Sequence, residues 1–426
     1  MKLSKFNIKK INIKDVDNNY IGQDILLKLG ELYQFESGIY GYGNIWTKLE
    51  RIVENIIIDE LDKADCIQVE FPKLQPRKIW DQSNRWNTYT KDGDIMFTLD
   101  NNLGEYGLAP TAEECATIFG ANRLLSYKQL PTTYYQISEK FRKEIRTRGY
   151  LFRPRTFVMM DAYSFDKSEE NMVETYNKMH TVYQNIFKRL GINIYTTISD
   201  NGTMGGKVSE EYQAITKLGE DIILYNENNN KAINKEVIND DNKDIYLNKL
   251  EVNNIDDLKS ANSVELGNNF QLGTTYSNSM NLYFKDEYGN DKPYYMGCYG
   301  IGLGRIIATI IENNIIKDKD KIKGFSIPYS LAPYKVQIIY KEDKEREAKR
   351  IYNYLLENSI NCILDDRDGY SLGNKINDVY TLGTPYMIVI GNKFDGTNIE
   401  IEETKSGIKE IINIDNLKEF FDKKSM

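Results

Sequence analysis

Apolar residues recur every three to four positions in several long segments of the chain. Residues 44–64 and 168–190 show this spacing, as does "PTAEECATIFGANRLL", which starts at Pro110. The period is typical of amphipathic helices that pack one face on a core. The pattern therefore predicts a helix in each segment. In the last of them, Thr111 as N-cap and Glu114 three residues later predict a capping box.

Shorter apolar runs bounded by turn residues predict strands around these helices. "CIQVEFPKL" is expected to be a strand that ends at Pro72, and residues 94–100 are expected to pair with residues 105–109. Residues 281–285 predict another strand. In "KPYYMGCYGIGLGRIIATIIENN" the pattern changes from a strand, through a glycine turn, to an apolar helix.

The composition changes sharply over residues 226–262. They are rich in Asn, Asp and Lys and poor in aromatic residues, which predicts an insertion or a loosely ordered surface segment. "FSIPYSLAPY" holds two prolines and predicts a linker at 326–334. Beyond it, short apolar strands alternate with helical patterns, as in a small α/β domain over 335–426. Residues 1–325 then form a larger first domain.

The 426 residues carry a formal net charge of −8, which excludes a basic surface over the whole protein but not local basic clusters. The four cysteines lie far apart and show neither metal-ligand spacing nor a dense disulfide pattern, as expected in a reducing cytosol. No apolar run approaches the ~20 residues of a membrane helix, and the N-terminus lacks the apolar core of a secretory signal. These features predict a cytoplasmic protein without a membrane partner or a structural zinc.

One segment, "KFRKEIRTRGYLFRPRTFVMMDAYSF" from Lys140 to Phe165, concentrates positive charge. Its pattern predicts an antiparallel hairpin with a long tip. Arg142 and Glu144 share a face of an ideal strand, as do Phe157 and Asp161 on the returning strand. Such a surface could hold a nucleotide, with the guanidinium on a phosphate and the ring on the base. A solvated hairpin with surface ion pairs is the alternative. The arginines of the segment are Arg142, Arg146, Arg148, Arg153 and Arg155.

Another arginine follows a run of glycines. Gly297, Gly300, Gly302 and Gly304 precede Arg305. Glycine lets the backbone approach a ligand closely, and a helix N-terminus favours an anion. The spacing G-x-G-x-G-R differs from the G-x-G-x-x-G dinucleotide fingerprint. The run therefore indicates a phosphate-binding turn, with a tight structural turn and a surface arginine as the alternative.

The remaining polar candidates have simple structural explanations. Thr111 and Glu113 lie at a predicted helix start, where capping is the simplest role and binding of a small cation is the other. His180, the single histidine, lies on an amphipathic helix and argues against a Ser-His-Asp triad or a histidine-ligated zinc. Arginines without a nucleophile or metal cage fit activation of a carboxylate by ATP, in which positioning and charge neutralisation do most of the catalysis.

Several segments together resemble one known family. "KFRKEIR" followed by "RTFVMMDAYSF" resembles motif 2 of the class II aminoacyl-tRNA synthetases, "MGCYGIGLGR" resembles motif 3, and "QVEFPKL" resembles motif 1, with Pro72 at the dimer interface. Within the class, the chain resembles the bacterial-type prolyl-tRNA synthetases. The segments that carry this finer resemblance are "SGIYGYGNIWTKLERIVENII", "LQPRKIWDQSNRW", "LAPTAEE", "LPTTYYQISEKFRKEIR", "MGGKVSEEYQAI", "FQLGTTYS" and "LDDRDGYSLGNKINDVYTLGTPYMIVIG".

The resemblance implies a fold and a reaction. The fold is an α+β catalytic domain on an antiparallel sheet, the class II synthetase fold, over residues 1–325, with a C-terminal α/β anticodon-binding domain over 335–426. The reaction is ATP-dependent activation of L-proline to prolyl-adenylate, followed by transfer to the 3′ end of proline tRNA. A homodimer is implied, with Mg2+ bound alongside ATP and no metal ligands from the protein.

The resemblance also implies residue roles. The catalytic residues would be Arg142, on the α-phosphate and the proline carboxylate, and Arg305, on the γ-phosphate. Glu144 would hold the adenine amino group, and Thr111 and Glu113 would hold the ring NH2+ of proline. The implied ATP-binding residues are Arg142, Glu144, Phe157, Gln271, Thr274, Gly302 and Arg305; the proline-binding residues are Thr111, Glu113, Arg142, Glu211 and Cys298; the tRNA-binding residues are Arg146, Arg148, Arg153, Arg155, Arg367 and Lys375.

Two departures from the family bear on accuracy and on tRNA recognition. Bacterial members carry a large editing domain between motifs 2 and 3, where the chain has only the polar stretch 226–262. The run Gly369–Gly373 departs from the family's "ERPG"-like anticodon loop. Two alternatives remain, a paralogue that loads an amino acid onto a carrier protein and a non-catalytic tRNA-binding regulator. The C-terminal domain argues against the first, and the presence of Arg142 and Arg305 argues against the second.

Overall fold

The computed structural model describes residues 1–102, 104–147, 149–199, 208–239 and 241–424. The chain forms two compact units. The larger unit comprises Ser37–Ile39 and Glu54–Ile306, and the smaller unit comprises Met1–Glu36, Tyr40–Val53 and Ile307–Met426.

The secondary structure follows the chain in this order. The helices are α1 Ile21–Leu29, α2 Asn44–Lys63, α3 Arg77–Gln82, α4 Glu113–Ala121, α5 Glu169–Arg189, α6 Lys243–Lys249, α7 Thr275–Ser279, α8 Leu303–Glu312, α9 Glu345–Glu357, α10 Leu372–Leu382 and α11 Leu417–Lys424. The strands are β1 Leu32–Glu36, β2 Ile39–Tyr42, β3 Ile67–Gln68, β4 Leu74–Pro76, β5 Thr98–Asn101, β6 Gly104–Leu108, β7 Thr132–Phe141, β8 Thr156–Asp166, β9 Tyr195–Ile198, β10 Val208–Ile215, β11 Asp221–Asn226, β12 Lys231–Asn234, β13 Lys259–Gly273, β14 Tyr283–Lys285, β15 Asp291–Pro293, β16 Tyr295–Gly302, β17 Ile315–Asp318, β18 Lys321–Phe325, β19 Val336–Tyr340, β20 Cys362–Leu364, β21 Tyr386–Ile390, β22 Asn398–Glu403 and β23 Lys409–Asn413.

The larger unit is built on a nine-stranded sheet in the order β10-β9-β12-β11-β13-β16-β8-β7-β3. Its central strands β13, β16, β8 and β7 pair antiparallel, as predicted for an α+β domain. The predicted arginine hairpin is confirmed as β7 and β8, although β7 ends at Phe141, so Arg142 and Glu144 lie just beyond the strand. Helix α5 packs on β8, β13 and β16, as the ring contact between Tyr176 and Tyr299 shows. The other face of these strands carries the site.

The predicted capping box at the start of α4 is wrong. Ala112 occupies the N-cap position, and no side chain caps the helix. The Thr111 hydroxyl donates instead to the Glu113 carboxylate, at 2.8 and 2.7 Å from its two oxygens. A nearby carboxylate accepts a stronger, charge-assisted hydrogen bond than a side-chain cap provides. Glu114 turns toward Arg85 rather than back to the helix start.

The polar stretch predicted as an insertion or a loosely ordered surface segment contains regular structure in its described residues, 226–239 and 241–262. Strand β12 pairs with β11 and β9 inside the nine-stranded sheet, and α6 follows it. Asparagine side chains supply hydrogen bonds to the backbone of this stretch, since Asn226 and Asn229 both donate to the carbonyl of Leu250. Composition alone misled the prediction because asparagines that bind the backbone locally stabilise turns without an apolar core.

Other boundaries differ from the predictions. The strand expected to end at Pro72 shrinks to β3, and the hairpin β1–β2 and the edge strand β23 were not predicted. Much of β1 and β23 is exposed, so their apolar residues show no clear alternation. Period-two signals need one buried face, which these strands lack.

The smaller unit contains the predicted α/β sheet, in the order β20-β19-β21-β22-β23. Strands β20, β19 and β21 run parallel, β22 is antiparallel to β21, and β23 is antiparallel to β22. Val336, Ile338 and Ile388 are fully buried in its core beside Leu355 of α9. None of the helices in the described ranges is long and apolar enough to cross a membrane.

Candidate active site

The central strands of the nine-stranded sheet bring one row of side chains to a common face. Cys298 lies opposite Tyr163 on one side and Phe270 on the other, and Gly300 lies between Asp161 and Asn268. Residues two apart on a strand share a face. All of these positions line one cleft of about 670 Å3. The prediction that Asp161 faces the same way as Phe157 is confirmed by this register.

Gly300 keeps this cleft open. A Cβ atom there would lie 2.3 Å from Cε of Met159 and 3.0 Å from Oδ1 of Asn268. A larger residue at this position would force Met159 and Asn268 to shift, because extra atoms in a well-packed interior displace their neighbours. Glycine in the strand therefore marks a close approach in the site.

One end of the cleft is lined by Thr111 and Glu113, as predicted for a cation site. Glu113 is 1 % exposed, and its carboxylate accepts from Thr111 and lies 3.1 Å from Nη1 of Arg85. The same Nη1 lies 3.0 Å from Oε1 of Glu114. Although burial by itself lowers the pKa of Arg85, Glu114 and its neighbours hold that pKa well above its ordinary value. A buried arginine thus serves two carboxylates.

Cys298 completes this end of the cleft. Its Sγ lies 3.6 Å from Oε1 of Glu113. Burial, together with the charge of Glu113, raises the pKa of Cys298 well above its ordinary value. The thiol is therefore neutral and acts as a wall of the pocket rather than as a nucleophile, since the thiolate is the reactive form.

The floor of the cleft is a second buried ion pair. Nζ of Lys140 lies 2.6 Å from Oδ1 of Asp161. The other oxygen of Asp161 accepts from Gln136 at 2.9 Å and from the Tyr163 hydroxyl at 2.8 Å. The same hydroxyl accepts from the backbone N–H of Ala112 at 3.0 Å. This chain of contacts ties the floor to the backbone between Thr111 and Glu113.

The other end of the cleft holds the predicted nucleotide residues. Five of the residues predicted to bind ATP line one adjoining pocket: Arg142, Glu144, Phe157, Gly302 and Arg305. The guanidinium of Arg142 lies 5.1 Å from the centre of the Phe157 ring, and its Nε donates to the carbonyl of Pro110 at 3.3 Å. Arg142 also lines the first cleft, so it belongs to both ends.

Arg305 is held in place at the start of α8. Its Nε donates to the carbonyl of Phe152 at 2.8 Å, and Nη1 contacts the carbonyl and the carboxylate of Glu265 at 2.8 and 3.0 Å. Glu265 accepts in addition from Nδ2 of Asn268 at 2.7 Å. The predicted phosphate-binding arginine is thus oriented by an acidic neighbour.

The predicted tRNA arginines of the hairpin differ in their surroundings. Arg146 is exposed at the cleft, and Arg153 pairs with Glu144 at 2.9 Å and with Glu220 at 3.3 Å. Nε of Arg155 donates to the carbonyl of Glu144 at 3.2 Å. Arg148 lies outside the described residues, as do the first residues of "MGGKVSEEYQAI".

Three predicted residues do not line the cleft. Gln271 follows Phe270, so strand alternation turns it to the other face. Thr274 immediately precedes α7 and accepts from Nδ2 of Asn278. Glu211 lies on the correct face but two strands from Cys298, where Gln213 donates to it at 2.8 Å. The structure therefore separates these residues from Thr111, Glu113 and Cys298.

We expect Glu211 to make folding depend on pH. Burial, with the charge of Glu265, raises its pKa to about 8 from the ordinary 4.5. The folded protein therefore holds this proton in a range where the unfolded chain has lost it, so the stability it contributes falls as the pH rises between these values. Glu211→Gln should raise the thermal unfolding midpoint at pH 8 more than at pH 5.

Circular dichroism at both pH values measures this difference. The exposed Glu139 provides a control, because Glu139→Gln makes the same chemical change at the surface. The difference between the unfolding midpoints at pH 5 and pH 8 should be the same in Glu139→Gln as in the unchanged protein. An equal shift of Glu211→Gln at both pH values would contradict the expectation.

The two residues predicted to read the anticodon, Arg367 and Lys375, already bond to other groups of the smaller unit. Nζ of Lys375, 4 % exposed, donates to the carbonyl of Asp365 at 3.0 Å. Nη2 of Arg367 lies 2.7 Å from both Asp365 and Asp378. The prediction for Lys375 is therefore not supported by the structure, because a buried and bonded ammonium is not available to a ligand.

Sequence reasoning missed several residues of the site. Arg85, Lys140 and Asn268 were given no role, although each contacts a predicted residue or lines the cleft. For Asp161, the strand alternation had already indicated a position on the same face as Phe157. Arg85 sits in "NRWNTY", where no periodicity or spacing points to Glu113, so only the three-dimensional contact reveals it.

Family models match most of the chain. The model described as tRNA synthetase class II core domain (G, H, P, S and T) matches residues 95–314, and the model described as Anticodon binding domain matches residues 335–424. The two matches together contain most of the residues that line the cleft and the α/β sheet of the smaller unit.

Curated relatives match over nearly the full length. A proline--tRNA ligase of Rickettsia bellii is 35% identical over 434 residues, which cover 97% of this chain and 96% of that protein. One of Rickettsia canadensis is 35% identical over 434 residues, which cover 98% of this chain and 97% of that protein.

Solved structures share the fold. The prolyl-tRNA synthetase of Cryptosporidium parvum, complexed with L-proline and AMP, superposes with a TM-score of 0.74 at 16% identity and covers 98% of this chain and 78% of its own. The same synthetase complexed with halofuginone and AMPPNP also gives 0.74, with coverage of 95% and 75%. At this level of identity the likeness shows the fold alone.

Proposed function

Because the chain belongs to the prolyl-tRNA synthetases of class II, we propose that the cleft from Thr111 to Arg305 is where proline meets ATP and then tRNA. The protein is a proline--tRNA ligase, so the predicted family and reaction are confirmed. The full-length matches favour this reaction over a carrier-loading paralogue or a tRNA-binding regulator.

One observation carries the assignment of the site. Arg142 lines both the acidic end of the cleft and the arginine-rich nucleotide pocket. A carboxylate placed beside this guanidinium would lie between the cation site at Glu113 and the phosphates at Arg305. This is the arrangement needed to join an amino acid, through its carboxylate, to the α-phosphate of ATP.

We assign proline to the acidic end. The ring NH2+ would take the place of solvent against Thr111 and Glu113, and the neutral Cys298 thiol would contact the ring. The carboxylate would pair with Arg142, whose planar fork suits two oxygens. Water is kept from this end because Glu113 and Cys298 are almost fully buried.

We assign ATP to the adjoining pocket. Phe157 would stack on adenine, the Glu144 carboxylate would accept from its amino group, and Arg305 would neutralise the terminal phosphate. For this, Arg305 would exchange part of its bond to Glu265 for phosphate oxygens. Arg142 would hold the α-phosphate, so that charge developing there meets a fixed cation.

The residues present fit a magnesium ion bound mainly by the phosphates. Among the described residues, no group of three or more His, Cys, Asp and Glu side chains could hold a metal ion. Glu265 and Asn268 nevertheless bring a carboxylate and an amide oxygen to the nucleotide pocket. Mg2+ prefers one or two such oxygens together with phosphates and water. When bound with ATP, it would neutralise phosphate charge.

For the second step, we propose that tRNA enters over the hairpin tip. Arg146 and Arg153 are exposed there and could contact phosphates of the acceptor end. The 3′-terminal hydroxyl would then attack the prolyl-adenylate and release AMP. Removal of charge at Arg146 should weaken binding with a smaller salt dependence, which filter binding at two salt concentrations would reveal.

Three further features remain proposals. We propose a homodimer through the segment that contains Pro72, to be checked by sedimentation. The division into a catalytic domain at 1–325, a linker at 326–334 and an anticodon-binding domain at 335–426 is supported by the ranges of the two family models. A cytoplasmic location is supported by four free cysteines.

Pyrophosphate exchange tests the proposal. The purified protein is incubated with ATP, labelled pyrophosphate and each of the twenty amino acids, and transfer to proline tRNA is then measured. Exchange that depends on proline, without tRNA, supports the assigned chemistry. Absence of exchange with proline would overturn it, and exchange without transfer would favour loading of a carrier.

Alanine should also be activated, at lower efficiency. Proline exceeds alanine by about two methylenes, each worth ~1–3 kcal/mol in a pocket, and the insert over 226–262 is too short for the editing domain that many members of the family carry there. We therefore expect alanyl-tRNA to form and to persist. Incubating pre-formed alanyl-tRNA of the proline acceptor with this protein measures the loss. Hydrolysis faster than without protein would contradict the expectation.

A further inference from the structure

The proline end of the cleft contains two buried carboxylates and one guanidinium. Glu113 and Glu114 both contact Nη1 of Arg85, at 3.1 and 3.0 Å. Glu113 faces the cleft, whereas Glu114, 0 % exposed, is not among the residues that line it. With all three groups ionised, the cluster carries a net charge of minus one in a site shielded from water.

Nothing within the described residues supplies the missing positive charge. Oε1 of Glu114 accepts from Ser83 at 2.7 Å, but its Oε2 is buried without a hydrogen-bond partner in the described part of the chain. The nearby Lys140 is already matched by Asp161 at 2.6 Å. An unpaired buried charge is costly, so the cluster is one cation short.

The titratable groups that face Arg85, Glu113 and Glu114 from neighbouring elements do not change the net charge of this cluster. Tyr89, Tyr163, Tyr276, Cys115 and Cys298 are neutral, since burial raises the pKa of each. Arg142 and three further cations line the cleft. Lys143 pairs with Asp94, Arg153 pairs with Glu144, Arg146 is exposed, and Arg142 is assigned to the carboxylate and the α-phosphate. The ring NH2+ of proline is then the charge that completes the cluster.

We propose that Glu114, through Arg85 and Glu113, sets the charge of the proline site and thereby determines its affinity for a cationic amino acid. Glu114 shares Nη1 of Arg85 with Glu113, which leaves Glu113 only partly neutralised and able to attract the ring NH2+. This inference rests on the proposed function, because it assumes that proline lies at Thr111 and Glu113. It goes further in assigning a specificity role to a side chain that does not touch the substrate.

Glu114→Gln removes the excess negative charge without changing the size of the side chain. Arg85 and Glu113 would then form a neutral pair. Glu114 would be separated from the proline amine by Glu113. Over that distance, loss of the Glu114 charge should raise the KM for proline about tenfold in pyrophosphate exchange. The KM for ATP should not change, because Glu114 lies outside the nucleotide pocket.

A double variant separates charge from structure. Arg85→Met combined with Glu114→Gln leaves Glu113 as the single charge, so the net charge returns to minus one. If charge is the cause, the KM for proline falls back toward that of the unchanged protein. If Glu114 acts only through packing, the double variant binds proline more weakly than the single one, and the proposal fails.

The pH profile supplies a further readout. Burial raises the pKa of Glu114, and the substrate cation favours its ionised form. The KM for proline should therefore fall as the pH rises through the range in which Glu114 ionises, and Glu114→Gln should remove that part of the profile. An unaltered profile in the variant would overturn the proposal.

The controls distinguish this inference from the proposed function. Glu139→Gln makes the same change at an exposed position and should leave both KM values as they are. Without proline-dependent exchange in the unchanged protein, the proposed function fails. If exchange is present but Glu114→Gln leaves the KM for proline unchanged, or raises both KM values equally, only the present inference fails.

Discussion

Replacing Arg142 by alanine lowers proline-dependent pyrophosphate exchange about a thousandfold, the largest loss we expect from one side chain. Removing one preorganised donor to developing charge typically costs two to three orders of magnitude. Arg142 would serve both the proline carboxylate and the α-phosphate, so both substrates lose a partner at once. Because the side chain is only half-buried, the fold should tolerate the change.

Exchange at saturating proline and ATP, with circular dichroism of the same samples, measures this effect. Arg142→Lys should recover little, because a point charge does not replace a planar fork. Arg51, exposed on α2, offers a matched arginine for comparison. A tenfold loss or less in Arg142→Ala, with ATP and proline KM values unaffected, would contradict the assignment.

Glu113→Gln has the second largest effect, and it falls on proline alone. The carboxylate is buried, accepts from Thr111 and contacts Arg85 at the cation site. Losing one charge of a buried pair costs several kcal/mol, so we expect the KM for proline to rise about a hundredfold. The KM for ATP should change little.

Separate titrations of proline and ATP in pyrophosphate exchange distinguish the two constants. Thr111→Val should raise the KM for proline less, since it removes a hydrogen bond but no charge. Equal increases for both substrates would indicate a general distortion of the cleft and would argue against a proline site at Glu113.

The parts of the site that could be predicted were those marked by local pattern. Hairpin alternation placed Phe157 and Asp161 on one face, and the helix after the glycine run placed Arg305 at its first turn. These features depend on neighbours in sequence. The resemblance to a family added the proline amine as the cation for Thr111 and Glu113, which the structure brings to the same cleft as Arg142.

The parts that could not be predicted depend on contacts distant in sequence. Glu114 looked like half of a capping box because its spacing from Thr111 is correct, but Arg85 offers it a buried cation instead. Lys375 was assigned to the anticodon through the family resemblance, and lysines are usually exposed. Its burial beneath the carbonyl of Asp365 follows from the folded sheet and from no local signal.

Arg142 stands at the junction of the two pockets, and this has a consequence for inhibition and resistance. A compound that spans both pockets through an acidic group would rely on the one side chain that the enzyme itself needs for each substrate. A resistance substitution at Arg142 would also disable the first step of protein synthesis for proline codons. Resistance would then have to arise at the walls, at Cys298 or Phe157, where side chains contribute shape rather than charge.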